Sequence, residues 1–254
     1  MKKNLCLLPI LLFVTLVSFG QKTKKIKENA VYGKAKFYVL KSDETKKHGE
    51  YKITSYTPPF RNLVKGNFID GKKDGLWIEK YDQGGGQVKI KGKYELGKKI
   101  GEWKFYNSEG KLIQVYDYKQ NRLVTNAECG GNDVFEVKLS DKIEEKKLTC
   151  PPTRIGGTAN FRKELFREIA NKSPFEINSK GRTNINIDET LSFFISKEGE
   201  IKEINYSGSE KNQELTNVIK NFISLNNDDW ISGKLNDEKV EAKLTIPVRI
   251  RMMY

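Results

Sequence analysis

His48 is the one histidine of this 254-residue chain, so imidazole chemistry has a single place to sit. It occupies a slot of an internal repeat that later copies fill with Asp74 and Ile100, which reads as a turn position. No Ser/His/Asp or Cys/His set assembles around it. Cys129 and Cys150 lack the paired spacing of a zinc site. The segment DQGGGQ at 82–87 has neither the trailing Lys-Ser/Thr of a phosphate loop nor a helix after it. Asp228 and Asp229 precede Trp230 at a helix exit, where solvated carboxylates are ordinary. The sequence therefore reads as non-enzymatic, with no metal site and no cofactor.

Charge points elsewhere. Positions 22–125 hold 24 Lys/Arg against 12 Asp/Glu, a net of +12. Positions 126–254 hold 20 against 21, a net of −1, and Lys2 with Lys3 restores the +13 of the whole chain. One half alone is basic, which suggests an anionic partner for that half. Phosphorylated lipid headgroups or cell-wall carboxylates are the candidates, and nucleic acid is not. The competing reading is that surface lysines keep a thin β structure soluble and block edge-to-edge pairing.

The chain opens MKKNLCLLPILLFVTLVSFGQK. Two lysines precede a run from Leu5 to Val17, and Ser18 and Gly20 stand at −3 and −1 of a cut before Gln21. That is the pattern of a secretory signal. The run is short for a bilayer span of ~20 residues. The chain is thus expected in the periplasm, or, if residues 5–19 are kept, anchored in the inner membrane and facing it. Export permits a disulfide between Cys129 and Cys150, worth about 3 kcal/mol in the chain-entropy picture. Two free thiols are the alternative.

The elements come next. GNFIDGKKDGLW at 66–77 returns as GKYELGKKIGEW at 92–103, every landmark moved by 26 positions, and a worn copy holds Lys46, Lys47, Gly49 and Tyr51. Fixed-period similarity marks a stacked repeat. Each unit reads strand, turn, strand, with Gly71 and Gly75 bracketing the turn. Lys72 and Lys73 sit at the tip, as do Lys98 and Lys99 in the next copy, and these four form the expected basic surface. A lone hairpin is barely stable in water, so each leans on its neighbour. Trp77 and Trp103 are expected as the filling.

Residues 126–149, with the charged run SDKIEEKK, read as a linker, VFEVKL being at most a short strand. Beyond CPPTRIGG, residues Phe161, Leu165, Phe166 and Ile169 share one side of a helix. TNINIDETLSFFISKEGEIKEINY reads as two strands around a turn. Leu215, Val218, Ile219, Phe222 and Ile223 mark a second helix. Last, Val240 to Met252 alternates apolar and polar without a fault. Pro247 cannot donate to a ladder, so its strand should lie at an edge or turn that position outward.

The repeats, from about 30 to 125, resemble the MORN repeat and its YwqK-like variant through the Gly-Lys-Lys-x-Gly-x-Trp signature. That resemblance implies hairpins side by side in one elongated meander, used as a scaffold. Positions 150–252 resemble the TonB C-terminal domain. Gly156 and Gly157 fill its glycine lead-in, Gly199 its charged turn, Trp230, Gly233 and Lys234 its late hairpin, and Pro247 its final strand. The family's Tyr-Pro pair is replaced by Ser173-Pro174, and seven prolines in the whole chain cannot build a proline-rich periplasmic spacer.

Together these readings give an α+β expectation. Signal residues 1–20 lead to an antiparallel meander at 21–125, a linker at 126–149, and a two-layer helix-strand-strand-helix-strand domain at 150–254. The TonB resemblance implies that Leu244, Thr245, Ile246, Pro247, Val248, Arg249 and Ile250 form an edge strand. That strand would take an extended peptide of an outer-membrane receptor or other envelope protein. An anchored energy transducer and a purely structural scaffold are the alternatives, and a second copy of the chain is a further candidate partner.

Overall fold

The computed structural model describes residues 21–82, 85–140, 142–172, 185–208 and 213–252. The signal sequence and Ser173-Pro174 lie outside them. The first nine strands are β1 (Thr23–Ala30), β2 (Gly33–Leu40), β3 (Gly49–Ser55), β4 (Asn62–Ile69), β5 (Lys72–Lys80), β6 (Val88–Glu95), β7 (Lys98–Tyr106), β8 (Leu112–Asp117) and β9 (Arg122–Asn126). They pair in sequence order as one antiparallel sheet.

The repeat chemistry explains that sheet. The hairpin turns are Asp70-Gly71 and Leu96-Gly97, all four residues at positive φ, as a two-residue turn with right-handed strand twist needs. Lys72, Lys73, Lys98 and Lys99 are therefore strand residues rather than turn tips. The turn lies two residues earlier than expected because Asp70 and Leu96 adopt the left-handed conformation that the reading reserved for glycine. His48 ties one such turn to the repeat before it, its Nδ1 lying 3.3 Å from the Asp70 amide nitrogen and 3.2 Å from the Asp70 carboxylate.

On one face of the sheet the rings form a continuous series. Tyr51 stacks on Trp77 at 5.7 Å, Trp77 meets Tyr94 edge-on at 5.8 Å, and Tyr94 meets Trp103 at 4.9 Å. Each indole lies over a glycine of the preceding strand: a Cβ on Gly66 or Gly92 would fall 2.2 Å from Trp77 or Trp103. Lys73 caps Trp77 at 4.4 Å and Lys99 caps Trp103 at 5.1 Å, so the hydrocarbon stems cover the rings while the ammonium lies on their faces.

The second sheet corrects two expectations. The stretch read as a linker holds a hairpin, β10 (Val134–Leu139) and β11 (Lys142–Lys147). After the two-residue β12 (Thr153–Arg154) come α1 (Thr158–Lys172), β13 (Ile185–Ile195), β14 (Ile201–Tyr206) and α2 (Gln213–Leu225). The chain finishes with β15 (Trp230–Ile231), β16 (Gly233–Leu235) and β17 (Glu238–Met252). The order across the sheet is β11-β10-β17-β13-β14, with β16 on the end of β17 and β12 paired to β15.

Among the described residues the chain is thus mostly antiparallel β: seventeen strands against two helices of 15 and 13 residues. The α+β class is overturned, because the long meander and the extra hairpin outweigh two helices that cover one side of one sheet. The hairpin was missed for a physical reason. β10 does alternate, Phe135, Val137 and Leu139 facing a small core while Glu136 and Lys138 face away, but β11 is almost wholly solvated and carries no alternation that would betray its partner strand.

The main core lies between the helices and this sheet. Phe161, Leu165 and Ile169 of α1 and Leu215, Ile219 and Ile223 of α2 pack on Leu191, Phe193, Ile195, Ile246 and Val248. Trp230 closes one end, edge-on to Phe161 at 4.9 Å and Phe193 at 5.3 Å. No helix among the described residues is long and apolar enough to cross a membrane.

Candidate functional site

From Lys243 onward β17 is held along one side only among the described residues. It pairs with β13 from Ala242 to Met252 without a break in register. On its other side β10 pairs at Glu241 and Ala242 alone, and β16 pairs with Glu238 to Val240. From Lys243 onward no strand of the described residues pairs with that second margin. β10 leaves it there and opens a cleft of about 650 Å³, lined by Val134, Phe135, Pro152, Arg162, Leu244 and Thr245 among others. Lys243 spans its inner end and reaches the Glu136 carboxylate at 2.9 Å.

Backbone direction on β17 follows from its neighbour. Thr190, opposite Pro247, turns its polar groups the other way: its amide donates to Ser207 Oγ at 2.9 Å, and its carbonyl accepts from the Ser207 amide at 2.9 Å. Thr190 and Pro247 therefore form a non-hydrogen-bonded pair, and the backbone of Pro247 faces the open margin. By alternation so do Lys243, Thr245 and Arg249, while Leu244, Ile246 and Val248 bond inward to β13. Pro247 sits where its missing donor leaves no gap in the ladder.

The side chains of the seven expected edge residues divide by face. Leu244, Ile246 and Val248 are buried in the core, and Ile250 packs against it. Thr245, Pro247 and Arg249 are exposed on the opposite face, where Arg249 Nε donates to Asp188 at 3.1 Å. A ligand at the margin would thus meet main chain first, flanked by Thr245 and Arg249.

The four expected basic residues do not act as one surface. Lys72 and Lys98 are exposed, whereas Lys73 and Lys99 are half-buried on the ring series. Burial lowers the Lys99 pKa and raises that of Tyr118, whose hydroxyl accepts from Lys99 Nζ at 2.9 Å. Cys129 and Cys150 are joined as a disulfide, which pins the start of β10's loop beside Lys234, whose amide donates to the Cys150 carbonyl at 2.8 Å.

One polar residue of the framework escaped the sequence reading. Gln114, fully buried, donates to the Arg154 carbonyl at 3.1 Å and accepts from the Gly156 amide at 2.6 Å. It fastens the meander to the glycine lead-in of α1, beside a cluster in which Ile155 and Ile231 pack on Trp103, Phe105 and Tyr116. Its only linear signal is a Gln between apolar neighbours. No group of residues among those described could hold a metal ion.

No family model matches the chain, and no curated protein is similar to it. Among solved structures it is similar to a crystal structure of TarM, at 14% identity and a TM-score of 0.23. It is also similar to a S. aureus TarM mutant in complex with fondaparinux, alpha-GlcNAc-glycerol and UDP, at 18% identity and a TM-score of 0.24. In each case 41% of this chain and 21% of the other are covered, so the chain spans about a fifth of those proteins. Likeness at that level carries no functional weight.

Proposed function

We propose that this is a non-enzymatic envelope protein of the TonB C-terminal type, exported to the periplasm, that binds an extended peptide of an envelope partner along the open margin of β17. The observation that carries the reading is the run from Lys243 onward, paired with β13 on one side and with no described strand on the other. Strand addition needs outward donors and acceptors in alternation, and Thr245 and Arg249 supply both while Pro247 supplies a carbonyl. The meander serves as the scaffold that presents this margin.

The test uses proline where the fold tolerates it. Thr245→Pro and Arg249→Pro remove outward amides only, as the native Pro247 already does, and should leave the melting temperature within a few degrees. A photoreactive residue placed at Thr245 in whole cells should capture a defined peptide segment of an envelope protein, and Arg249→Pro should abolish that capture. Equal capture from a photoreactive residue at exposed Lys202 on β14 would defeat the proposal.

A further inference from the structure

The outer face of the meander, opposite the ring series, carries a pattern that appears only when the strands are laid side by side. Lys27 pairs directly with Lys36, Lys36 with Lys52, and Lys52 with Lys65. Lys65 pairs with Ile78, Ile78 with Lys91, and Lys91 with Lys104. Six lysines thus stand in a single file across seven consecutive strands, broken once by Ile78. At the usual strand spacing of about 4.8 Å the file runs roughly 30 Å.

Like charges placed directly opposite on neighbouring strands are destabilising, and four such pairs occur here. Edge protection does not explain them, because five of the six lysines lie on β2, β3, β4, β6 and β7, each of which is paired on both sides. Internal neutralisation is slight. Lys36 reaches Glu50 at 3.4 Å and Lys104 reaches Glu102 at 3.8 Å, and the other four form no ion pair among the described residues.

We infer that this file is a binding track for a linear acidic polysaccharide, one carboxylate per sugar ring. On the same face the file is bordered, two residues along its own strands, by Lys25, Lys34, Lys80, Lys89 and Lys93 and by the two acids Glu50 and Glu102, so it is the one row of directly opposed cations within a broader basic face. A flat anionic membrane would press those acids as well as the lysines, whereas a thread along the file meets six lysines and Ile78 but neither acid. Single-stranded nucleic acid fits poorly, because the stacking platforms it needs lie on the other face, under Lys73 and Lys99. The Cys129–Cys150 disulfide also suits an oxidising compartment, where a nucleic-acid partner is not expected. Lysine without arginine suits a polymer held by charge and free to slide, rather than one clamped by bidentate bonds.

The test measures binding of the full chain to polygalacturonate at low salt. The comparisons are neutral dextran, vesicles containing phosphatidylglycerol, and single-stranded DNA. The triple variant Lys52→Ala, Lys65→Ala, Lys91→Ala removes three cations from the file. The control Lys72→Ala, Lys98→Ala, Lys119→Ala removes three exposed cations elsewhere. Polygalacturonate should bind with strong salt dependence, the file variant should weaken it at least tenfold, and the control should change it less than threefold. Equal losses in the two variants would reduce the file to general charge and overturn the inference. So would tighter binding to vesicles or to DNA than to polygalacturonate. Peptide capture at β17 is read separately, so failure here leaves that proposal standing.

Discussion

The two sheets solve one problem in opposite ways. In the meander every interior strand has both margins paired, and stability is spread along a series of rings, each borrowed from the next repeat. The second sheet concentrates fifteen buried residues in a single cluster under two helices and, among the described residues, leaves a long margin of one central strand open. A local stack can be lengthened by repetition but offers no free backbone inside itself. A concentrated core can hold one strand rigidly enough from a single side to leave the other unspent. Lysines follow the same division: on the meander they cap rings or stand in file, whereas around β17 they are tied up, Lys138 to Glu241 at 2.9 Å and Lys243 to Glu136.

The largest effect should come from breaking the series of rings. Trp103→Ala removes a fully buried indole at the junction of the two sheets and should cost about 3–5 kcal/mol. Trp77→Ala should cost a similar amount. Because Ile155 and Ile231 pack on the Trp103 cluster, thermal unfolding of Trp103→Ala should lower both sheets, and that of Trp77→Ala the meander first. Identical profiles for the two would mean that the sheets are not separately organised.

Gln114→Ala should cost less, about 1–3 kcal/mol, because it strands the buried Gly156 amide, while the Arg154 carbonyl keeps the Gly157 amide as donor at 2.8 Å. Denaturant unfolding with probes on each sheet should show the two transitions drawing apart. If they stay coincident, Gln114 does not couple the halves.

The smallest effect is one of pH. Burial, helped by the Glu189 carboxylate, pushes the Tyr206 phenol up to about 12. Its folded pKa lies above the ordinary value of ~10, so the contribution to stability is complete below ~10 and is lost as pH rises towards 12. Tyr206→Phe should flatten that alkaline loss, and an unchanged slope would remove Tyr206 as its source.

Much of this was legible in the sequence and some was not. The 26-residue period announced the meander because every hairpin repeats its glycines and tryptophan. The alternation of β17 announced a half-buried strand. Of the hairpin β10–β11 only the first strand left a trace, in Phe135, Val137 and Leu139, since the almost wholly solvated β11 needs no apolar rhythm. An edge position for Leu244 to Ile250 was expected through Pro247, but that the strand lies inside the sheet with its margin open only from Lys243 onward was not, for it depends on where β10 turns away. The file of lysines did leave a mark that went unread: Lys52, Lys65, Ile78, Lys91 and Lys104 follow at intervals of 13, half the repeat. Each hairpin contributes two strands, so a half-period in sequence becomes a straight line across the sheet.

Amide hydrogen exchange along β17 in the ligand-free protein addresses the open margin most directly. The amides of Ile246 and Val248, bonded to β13, should be protected by orders of magnitude, while those of Thr245 and Arg249 exchange close to the rate of solvated chain. Four equally protected amides would mean that the margin is already covered, and strand addition there would have no place to occur.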